Sequence, residues 1–244
     1  MTFNIHHGEG VDQKIDIRRI ADIINKSGAD IVALQDVDRW VPRSGKMDVI
    51  SALSDQTGMT YAFAANFDLD GGTSGNGVLT RFPILEEKSH TMISPGPGRE
   101  YRCMELVLDV KGIELVFMNT ELDDAVNDSV KTLDLARIRG IASVHTFVPV
   151  ILCGSFNTDP SSRSITSLGG EFQDCWAIAG SGQGSTSPAS SPQMRSDYVF
   201  VSKTQSPTDS KTIQTGLKAV NAEVVATTAS NHLPFIVDLK IVSQ

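Results

Sequence analysis

The sequence has few cysteines and no long apolar run. Its three cysteines, Cys103, Cys153 and Cys175, are too few and too scattered for a disulfide framework or a zinc site. We therefore expect them to be buried as small hydrophobic residues. The longest apolar stretch covers residues 147–153 and suits a buried strand, because it is too short to span a membrane. The first residues also lack the pattern of a signal peptide, so we expect a soluble globular protein.

Positive charge is scarce as well. The 21 lysines and arginines stand against 29 aspartates and glutamates, which gives a formal net charge of −8. Because non-specific DNA binding draws most of its affinity from basic surface, a small phosphorylated substrate is favoured over duplex nucleic acid. The 244 residues are 40% hydrophobic, which is enough for one sizeable core. We expect a single domain over residues 1–244 and a monomer.

Apolar patterns divide the chain into strands and helices. Strands are predicted at residues 1–5, 31–34, 77–80, 104–109, 114–119, 148–153, 198–202 and 235–241, and helices at 15–24, 47–53 and 131–143. Residues 180–195 are rich in serine, glycine and proline, which predicts a mobile surface loop. Strands that alternate with helices early and follow one another in the middle predict two stacked sheets with helices outside.

Polar residues flank several of these strands. They are Asn4, Asp36, Glu121, Ser155, Asn157, Asp197, Asn231 and His232. Taken singly, a polar residue at a strand end is most often a cap or a turn former, so no one position indicates a site.

The amino-acid sequences of these segments and their order along the chain resemble one family. The chain closely resembles the endonuclease/exonuclease/phosphatase superfamily, the deoxyribonuclease I-like fold, in the segments Thr2-Phe3-Asn4-Ile5, Ala33-Leu34-Gln35-Asp36, Gly75-Asn76, Asn119-Thr120-Glu121-Leu122, Gly154-Ser155-Phe156-Asn157, Ser196-Asp197-Tyr198-Val199-Phe200 and Ser230-Asn231-His232-Leu233-Pro234. The resemblance covers essentially the whole chain. It implies an α/β (α+β) four-layer sandwich, in which two mixed β-sheets pack face to face and are flanked by helices. It also implies hydrolysis of a phosphoester assisted by Mg²⁺ or Mn²⁺, which neutralises charge in the transition state.

The resemblance further implies roles for individual residues. Asp36 matches the metal-binding carboxylate, and Asn4 matches an asparagine that orients this carboxylate or touches the metal through water. Asp197 and His232 match an Asp–His pair, in which the aspartate fixes the ring and the histidine contacts phosphate. Asn157 matches an asparagine that contacts the phosphate and the nucleophile.

Two further residues, Asn76 and Arg102, fall in segments that resemble phosphate-binding positions. A surface salt bridge explains Arg102 equally well. Specificity in this superfamily resides mainly in loops, here predicted at residues 67–75, 91–101 and 180–195. The glycine-rich residues 71–75 are too short for a nucleotide-binding loop and are expected to form a flexible turn.

Four positions depart from the family pattern. Asp36 stands where a glutamate is usual, Glu121 where a histidine is usual, and Ser155 and Asn231 where aspartates are usual. A shorter carboxylate displaces the cation, Glu121 repels phosphate, and Ser155 has no useful basicity for activating water. Loss of a general base alone costs about a hundred- to ten-thousandfold in rate, although several losses do not simply multiply. The departures therefore predict reduced or lost turnover.

The histidines outside these segments are weaker candidates. His6 and His7 are neighbours, and neighbours in an extended segment point to opposite sides. At most one is expected to face the site, with His6 the better candidate. His90 and His145 are expected to be surface or core residues and not ligands.

Two functional hypotheses follow. The first is a metal-dependent phosphoester hydrolase of altered or reduced turnover. The second is a catalytically inactive relative that keeps the cleft as a module for binding a phosphorylated ligand or a protein.

Overall fold

The computed structural model describes residues 1–93, 100–203 and 215–243. The described residues form twelve strands: β1 (Thr2–Asn4), β2 (Ile31–Arg39), β3 (Thr60–Leu69), β4 (Gly72–Thr80), β5 (Ile84–Thr91), β6 (Arg102–Val110), β7 (Ile113–Glu121), β8 (Val150–Ser155), β9 (Phe172–Asp174), β10 (Asp197–Ser202), β11 (Thr215–Val224) and β12 (Phe235–Ser243). They also form five α-helices: α1 (Ile17–Ser27), α2 (Val49–Thr57), α3 (Asp128–Ala142), α4 (Arg163–Thr166) and α5 (Cys175–Ala179).

Local sequence explains where the helices begin and end. The carboxylate of Asp16 accepts a hydrogen bond from the backbone N–H of Arg18 at 3.0 Å and so caps the start of α1. Gly28 ends this helix in the left-handed conformation, at a φ of 66°, which glycine adopts without steric cost. Asn127 caps the start of α3, where its side-chain oxygen accepts hydrogen bonds from two backbone N–H groups.

The strands build two six-stranded mixed sheets. The first has the order β11-β12-β1-β2-β4-β3, and the second has the order β5-β6-β7-β8-β10-β9. In each sheet one central pair is parallel, β1 with β2 and β7 with β8, and the other pairs are antiparallel. The ends of the central strands therefore meet at one end of the sandwich.

Three hydrophobic clusters show how the layers pack. Between the sheets, Val78 and Phe235 of the first sheet pack with Leu106 and Phe117 of the second. A second cluster joins α1 and α2 to the outer face of the first sheet, and a third joins α3 and α4 to the outer face of the second. Helices thus cover both sheets, which confirms the predicted four-layer sandwich.

Several predicted elements were wrong in extent. Residues 31–34 and 77–80 are only parts of the longer strands β2 and β4, and β3, β5, β9 and β11 were not predicted. Residues 67–75 are not an irregular loop, because they form the tip of the β3–β4 hairpin, with a turn at residues 70–71. In the predicted loop at residues 91–101, positions 94–99 lie outside the described residues.

The predicted surface loop at residues 180–195 is anchored from Thr186 onwards. Thr186 is fully buried, and its backbone N–H donates to the carbonyl of Met194 at 2.9 Å. Its hydroxyl accepts from the backbone N–H groups of Ser196 and Asp197, at 3.2 and 3.3 Å. This part of the loop is therefore tied to the start of β10.

Two expectations about the whole chain are met within the described ranges. No helix there is long and apolar enough to cross a membrane. Cys103, Cys153 and Cys175 are buried free thiols, as predicted. The expectation of a single domain over residues 1–244 stays a prediction.

Candidate active site

Strand register brings the predicted residues together. Asn4 is the last residue of β1, and it pairs with Gln35 in the parallel strand β2. In the second sheet Glu121 pairs with Ser155 across β7 and β8, and Ser155 pairs with Asp197 across β8 and β10. Residues scattered over the sequence therefore lie at the same end of the sandwich.

Asp197 and His232 form a buried pair. Nδ1 of His232 lies 2.8 Å from Oδ2 of Asp197, and Asp197 is fully buried. Burial alone would raise the pKa of Asp197, but His232 and the hydroxyls of Thr186 and Ser155 outweigh it and hold that pKa below its usual value. Burial would likewise lower the pKa of His232, but Asp197 and then Asp36 outweigh it and raise that pKa. The pair thus favours a charged, fixed imidazole ring.

Asp36 lies in a β-bulge. The register of β2 against β4 shifts between Leu34 and Val37, and Asp36 adopts a φ of 54°. Its Oδ1 accepts from Arg43 at 3.2 Å and from Ser74 at 3.3 Å. Burial would raise the pKa of Asp36, but the neighbouring His7 and Arg43 outweigh it and lower that pKa, so the carboxylate form is favoured.

Glu121 lies beside two other acids. Burial is the main cause of its raised pKa, and the negative charges of Asp36 and Asp124 raise the pKa further, well above the usual value. The neutral form is therefore favoured, and a neutral carboxyl is a hydrogen-bond donor. This qualifies the expectation that Glu121 simply repels phosphate.

The segment after β8 depends on a close approach of two strands. Gly154 has a φ of 144°, and a Cβ atom there would lie 1.8 Å from the carbonyl oxygen of Thr120. Ser155 donates to Oδ1 of Asn157 at 3.3 Å, and Nδ2 of Asn157 donates to the carbonyl of Leu122 at 2.9 Å. Asn157 itself has a φ of 48°, which asparagine tolerates better than most residues.

An aromatic cluster in the core packs around Phe156 and holds this segment in place. Phe156 is fully buried, and its ring lies 5.3 Å from that of Tyr198 and 5.7 Å from that of Phe200, both edge to face. Such pairs contribute about 0.5–1.5 kcal/mol each beyond the buried area. Because Phe156 points into the core, its neighbours Ser155 and Asn157 are held at the strand end.

The prediction for the two adjacent histidines was wrong. His6 and His7 lie in a 3₁₀ turn, His6–Gly8, and not in an extended segment. Their rings lie 4.3 Å apart, and the ligand atoms of both histidines and of Asp36 all lie within 4.8 Å of one another. His7, the weaker candidate in the sequence, is the one in contact with Asp36, at 3.5 Å from Nδ1 to Oδ2.

These residues fit a divalent cation. The pKa of His6 is lowered by burial and by His7, which favours the neutral ring that binds metals. Nδ1 of each histidine is buried and has no hydrogen-bond partner among the described residues. Asn4 contributes less, because its Oδ1 already accepts from the backbone N–H of His6 at 3.1 Å.

The three remaining predicted residues lie at the edge of this group. Nδ2 of Asn76 donates to the carbonyl of Arg102 at 2.8 Å, and Oδ1 of Asn76 is buried and unpartnered within the described part of the chain. Arg102 pairs with Glu100 at 3.2 Å, the surface salt bridge that the sequence allowed. Asn231 is exposed, and its Oδ1 accepts from Ser230 at 3.3 Å.

His90 and His145 lie elsewhere and share one partner. Nε2 of His90 is 2.7 Å from Oε2 of Glu105, and Nε2 of His145 is 3.1 Å from Oε1 of the same glutamate. Glu105 is only 3% exposed, on the face of β6 that is covered by α3 and its following loop. As expected, the two histidines are not ligands at the candidate site.

Sequence reasoning missed several residues that shape the site. Arg43 bridges Asp36 and Asp38, with 2.8 Å to each oxygen of Asp38. The amine of Lys131 is buried and donates to the carbonyl of Asn157. Its pKa is lowered by burial, in spite of nearby aspartates. Nothing in the spacing of these basic residues indicates their partners.

A buried amide network across the sheets was also missed. Nδ2 of Asn119 donates to the carbonyls of Leu34 and Gly77, at 2.9 and 2.8 Å, and its Oδ1 accepts from Gln35 at 2.8 Å. Here the sequence contained an indication of the network. Gln35 directly follows the predicted buried strand 31–34, and Asn119 ends the predicted strand 114–119, so both amides need partners in the core.

Comparison with known proteins identifies the family and the fold. A model of the endonuclease/exonuclease/phosphatase family matches residues 1–232. An endonuclease/exonuclease/phosphatase from Beutenbergia cavernae is similar, with a TM-score of 0.74 and 23% identity over 98% of this chain and 70% of that one. A mannosyl-6-phosphatase from Bacteroides thetaiotaomicron has a TM-score of 0.73 and 17% identity, and 98% of each chain is covered.

A human protein shows the same likeness. The human Nocturnin catalytic domain, solved with a bound sulfate anion, has a TM-score of 0.73 and 17% identity over 98% of this chain and 93% of that one. At these identities the similar structures show the fold alone, and the family model shows which family the chain belongs to. With the two mixed sheets and the converging strand ends, these findings place the chain in the endonuclease/exonuclease/phosphatase family of metal-dependent phosphoesterases.

Proposed function

We propose that this chain is a divalent-metal-dependent phosphoester hydrolase that acts on small phosphorylated substrates, with lower turnover than relatives that carry the usual family residues. The observation that carries the proposal is the buried Asp197–His232 pair at the strand ends that hold Glu121 and Ser155, with Asp36 near enough to help raise the pKa of His232.

Each side chain has a proposed role. Asp197 fixes the ring of His232 through Nδ1, so that Nε2 is directed at a non-bridging phosphate oxygen. Asn157 is proposed to contact the phosphate and the nucleophilic water, in addition to its bonds with Ser155 and the carbonyl of Leu122. Asp36 and Asn4 are on the metal side, where a bound cation supplies neutralisation of the charge that develops on phosphate.

Other residues are proposed to contribute less to phosphate binding. Asn76 and Arg102 lie beside one another and are proposed to line the substrate cleft, although the Arg102 guanidinium is already paired with Glu100. Ser155 and Asn231 occupy positions where a carboxylate is expected. Neither side chain can take a proton from water at neutral pH, which is the physical reason for reduced turnover.

Local charge favours a small substrate. Asp123 and Asp124 follow β7, close to Glu121, and the formal net charge of the chain is −8. A duplex carries a dense row of phosphates that these charges would repel. The mannosyl-6-phosphatase among the similar structures is consistent with a small phosphomonoester.

The test is hydrolysis of bis(4-nitrophenyl) phosphate and 4-nitrophenyl phosphate in Mn²⁺ or Mg²⁺, with and without chelator. We expect slow, chelator-sensitive release of 4-nitrophenol, which His232→Ala abolishes. His145→Ala is the matched control, because it removes a histidine from Glu105 and leaves the site untouched. Activity that survives both chelation and His232→Ala would refute the proposal.

Restoring the family residues tests the cause of the low turnover. Ser155→Asp, alone or with Asp36→Glu, Glu121→His and Asn231→Asp, is expected to raise turnover by about a hundred- to ten-thousandfold, because a base is returned to the attacking water. The alternative, an inactive relative that binds a phosphorylated ligand or a protein, predicts saturable binding of inorganic phosphate that chelation does not change. It also predicts no hydrolysis by the original chain.

A further inference from the structure

The turn after β1 places two imidazole rings against one carboxylate. His6 and His7 have φ values of 45° and 47°, both in the left-handed region that non-glycine residues enter at a cost. Two such residues in succession persist only where the surrounding structure holds them. The consequence is that both rings come from the same side of the chain, so that ligand atoms of His6, His7 and Asp36 lie within 4.8 Å of one another.

His7 is held in the manner of a metal ligand. Its Nε2 lies 3.4 Å from the carboxylate of Glu9, and the side chain is only 6% exposed. A carboxylate on one ring nitrogen fixes the ring and its tautomer and leaves the other nitrogen free to bind a cation. That other nitrogen, Nδ1, faces Asp36 and has no hydrogen-bond partner among the described residues.

Asp36 presents one oxygen to this nitrogen and uses the other elsewhere. Oδ1 accepts from Arg43 and Ser74, whereas Oδ2 lies 3.5 Å from Nδ1 of His7. Like the 3.4 Å contact of Nε2 with Glu9, a separation of 3.5 Å is long for a hydrogen bond, so Glu9 orients the ring chiefly by its charge. The 3.5 Å separation is close to the spacing of about 3.4 Å between two ligands that each lie about 2.1 Å from one tetrahedral cation.

We propose that His6, His7 and Asp36 form a three-ligand site for a first-row transition ion, with Co²⁺ and Zn²⁺ bound in preference to Mg²⁺. Imidazole nitrogen suits these ions, whereas Mg²⁺ demands oxygen ligands in near-ideal octahedral geometry. The inference rests on the proposed function only in that both place a cation at Asp36. It goes further by assigning two nitrogen ligands and hence a metal preference.

The experiment measures metal binding directly, on the full chain without a histidine tag and after removal of metals by chelation. Co²⁺ is titrated and followed by visible absorption, and Zn²⁺, Mn²⁺ and Mg²⁺ are titrated by calorimetry. We expect one Co²⁺ per chain, with visible bands of a nitrogen-ligated ion. Mg²⁺ is expected to bind at least about a hundredfold more weakly.

Three variants identify the ligands. His7→Gln is expected to weaken Co²⁺ binding by at least about a hundredfold, and Glu9→Gln by about tenfold, because Glu9 only orients the ring. His90→Gln is the matched control, since it removes an imidazole that contacts Glu105, and it should leave Co²⁺ binding unchanged. Circular dichroism and thermal unfolding establish that each variant is folded. If His7→Gln does not fold, the Co²⁺ affinity of Glu9→Gln tests the site instead.

The outcomes separate this inference from the proposed function. Equal affinity for Mg²⁺ and Co²⁺, or a Co²⁺ affinity that His7→Gln and Glu9→Gln do not change, would overturn the histidine site. Mg²⁺-supported hydrolysis in that case would leave the proposed function standing. Conversely, Co²⁺ binding that His7→Gln abolishes, together with no hydrolysis in any metal, would support the site and refute the hydrolase.

Discussion

The Asp197–His232 pair offers the sharpest physical test of the candidate site. Asp197→Asn removes the negative charge, keeps the size of the side chain and retains an oxygen that can accept from Nδ1 of His232. In the folded protein the pKa of His232 is raised and the pKa of Asp197 is lowered, so the pair stabilises the fold while both groups are charged. The substitution should therefore destabilise the protein in a way that depends on pH.

The magnitude follows from burial and geometry. A hydrogen bond between charged groups contributes about 1.5–3 kcal/mol, and the 2.8 Å contact with a fully buried carboxylate belongs to this class. Because the folded pKa of His232 is raised, its contribution is complete below the unfolded value of 6.5 and is lost as pH rises through the folded pKa. Because the folded pKa of Asp197 is lowered, its contribution is present above 3.8 and is lost as pH falls through the folded pKa.

The loss of stability in Asp197→Asn should thus be largest between these two values, at about 1.5–3 kcal/mol, and smaller in alkaline solution. The assay is urea unfolding of both proteins, free of metal, at about pH 5.5 and about pH 9. Asp174→Asn is the matched control, because Asp174 pairs with Arg195 at 2.6 and 2.8 Å and arginine keeps its charge at both pH values. A loss in Asp197→Asn that is equal at both pH values would refute the reasoning.

Two further predictions concern the core beneath the site. Asn119→Leu removes the donor to two backbone carbonyls and the acceptor of Gln35, whose amide then keeps only its bond to Thr2, so the free energy of unfolding should fall by about 2–5 kcal/mol in urea titrations. A fall below about 1 kcal/mol would contradict the network. Burial raises the pKa of Cys153 and Cys175 to about 12, and it also raises the pKa of Cys103. All three thiols should therefore react with Ellman's reagent at least about a hundredfold more slowly in the native protein than in urea. Prompt reaction of any thiol in the native state would show that the sheets open there.

The sequence determined what is local. Apolar spacing predicted α1 and α3 within three residues at each end, and the central strands were predicted at their cores. The resemblance predicted the four-layer sandwich and named the residues that the strand register then brought together, such as Ser155 opposite Asp197. The edge strand β5 was missed, because residues 86–91 are all polar and so lack the alternation that marks a half-buried strand.

Tertiary structure decided which side chains meet. Arg43 contacts Asp36 because β2 bulges and the chain turns back after Trp40, which no spacing in the sequence records. His7 reaches the site because two successive residues adopt positive φ, a state that neither residue favours on its own. The reason is general: local propensities are set by neighbours in the chain, whereas the charge, burial and ligand geometry of a site are set by residues that only the completed fold makes neighbours.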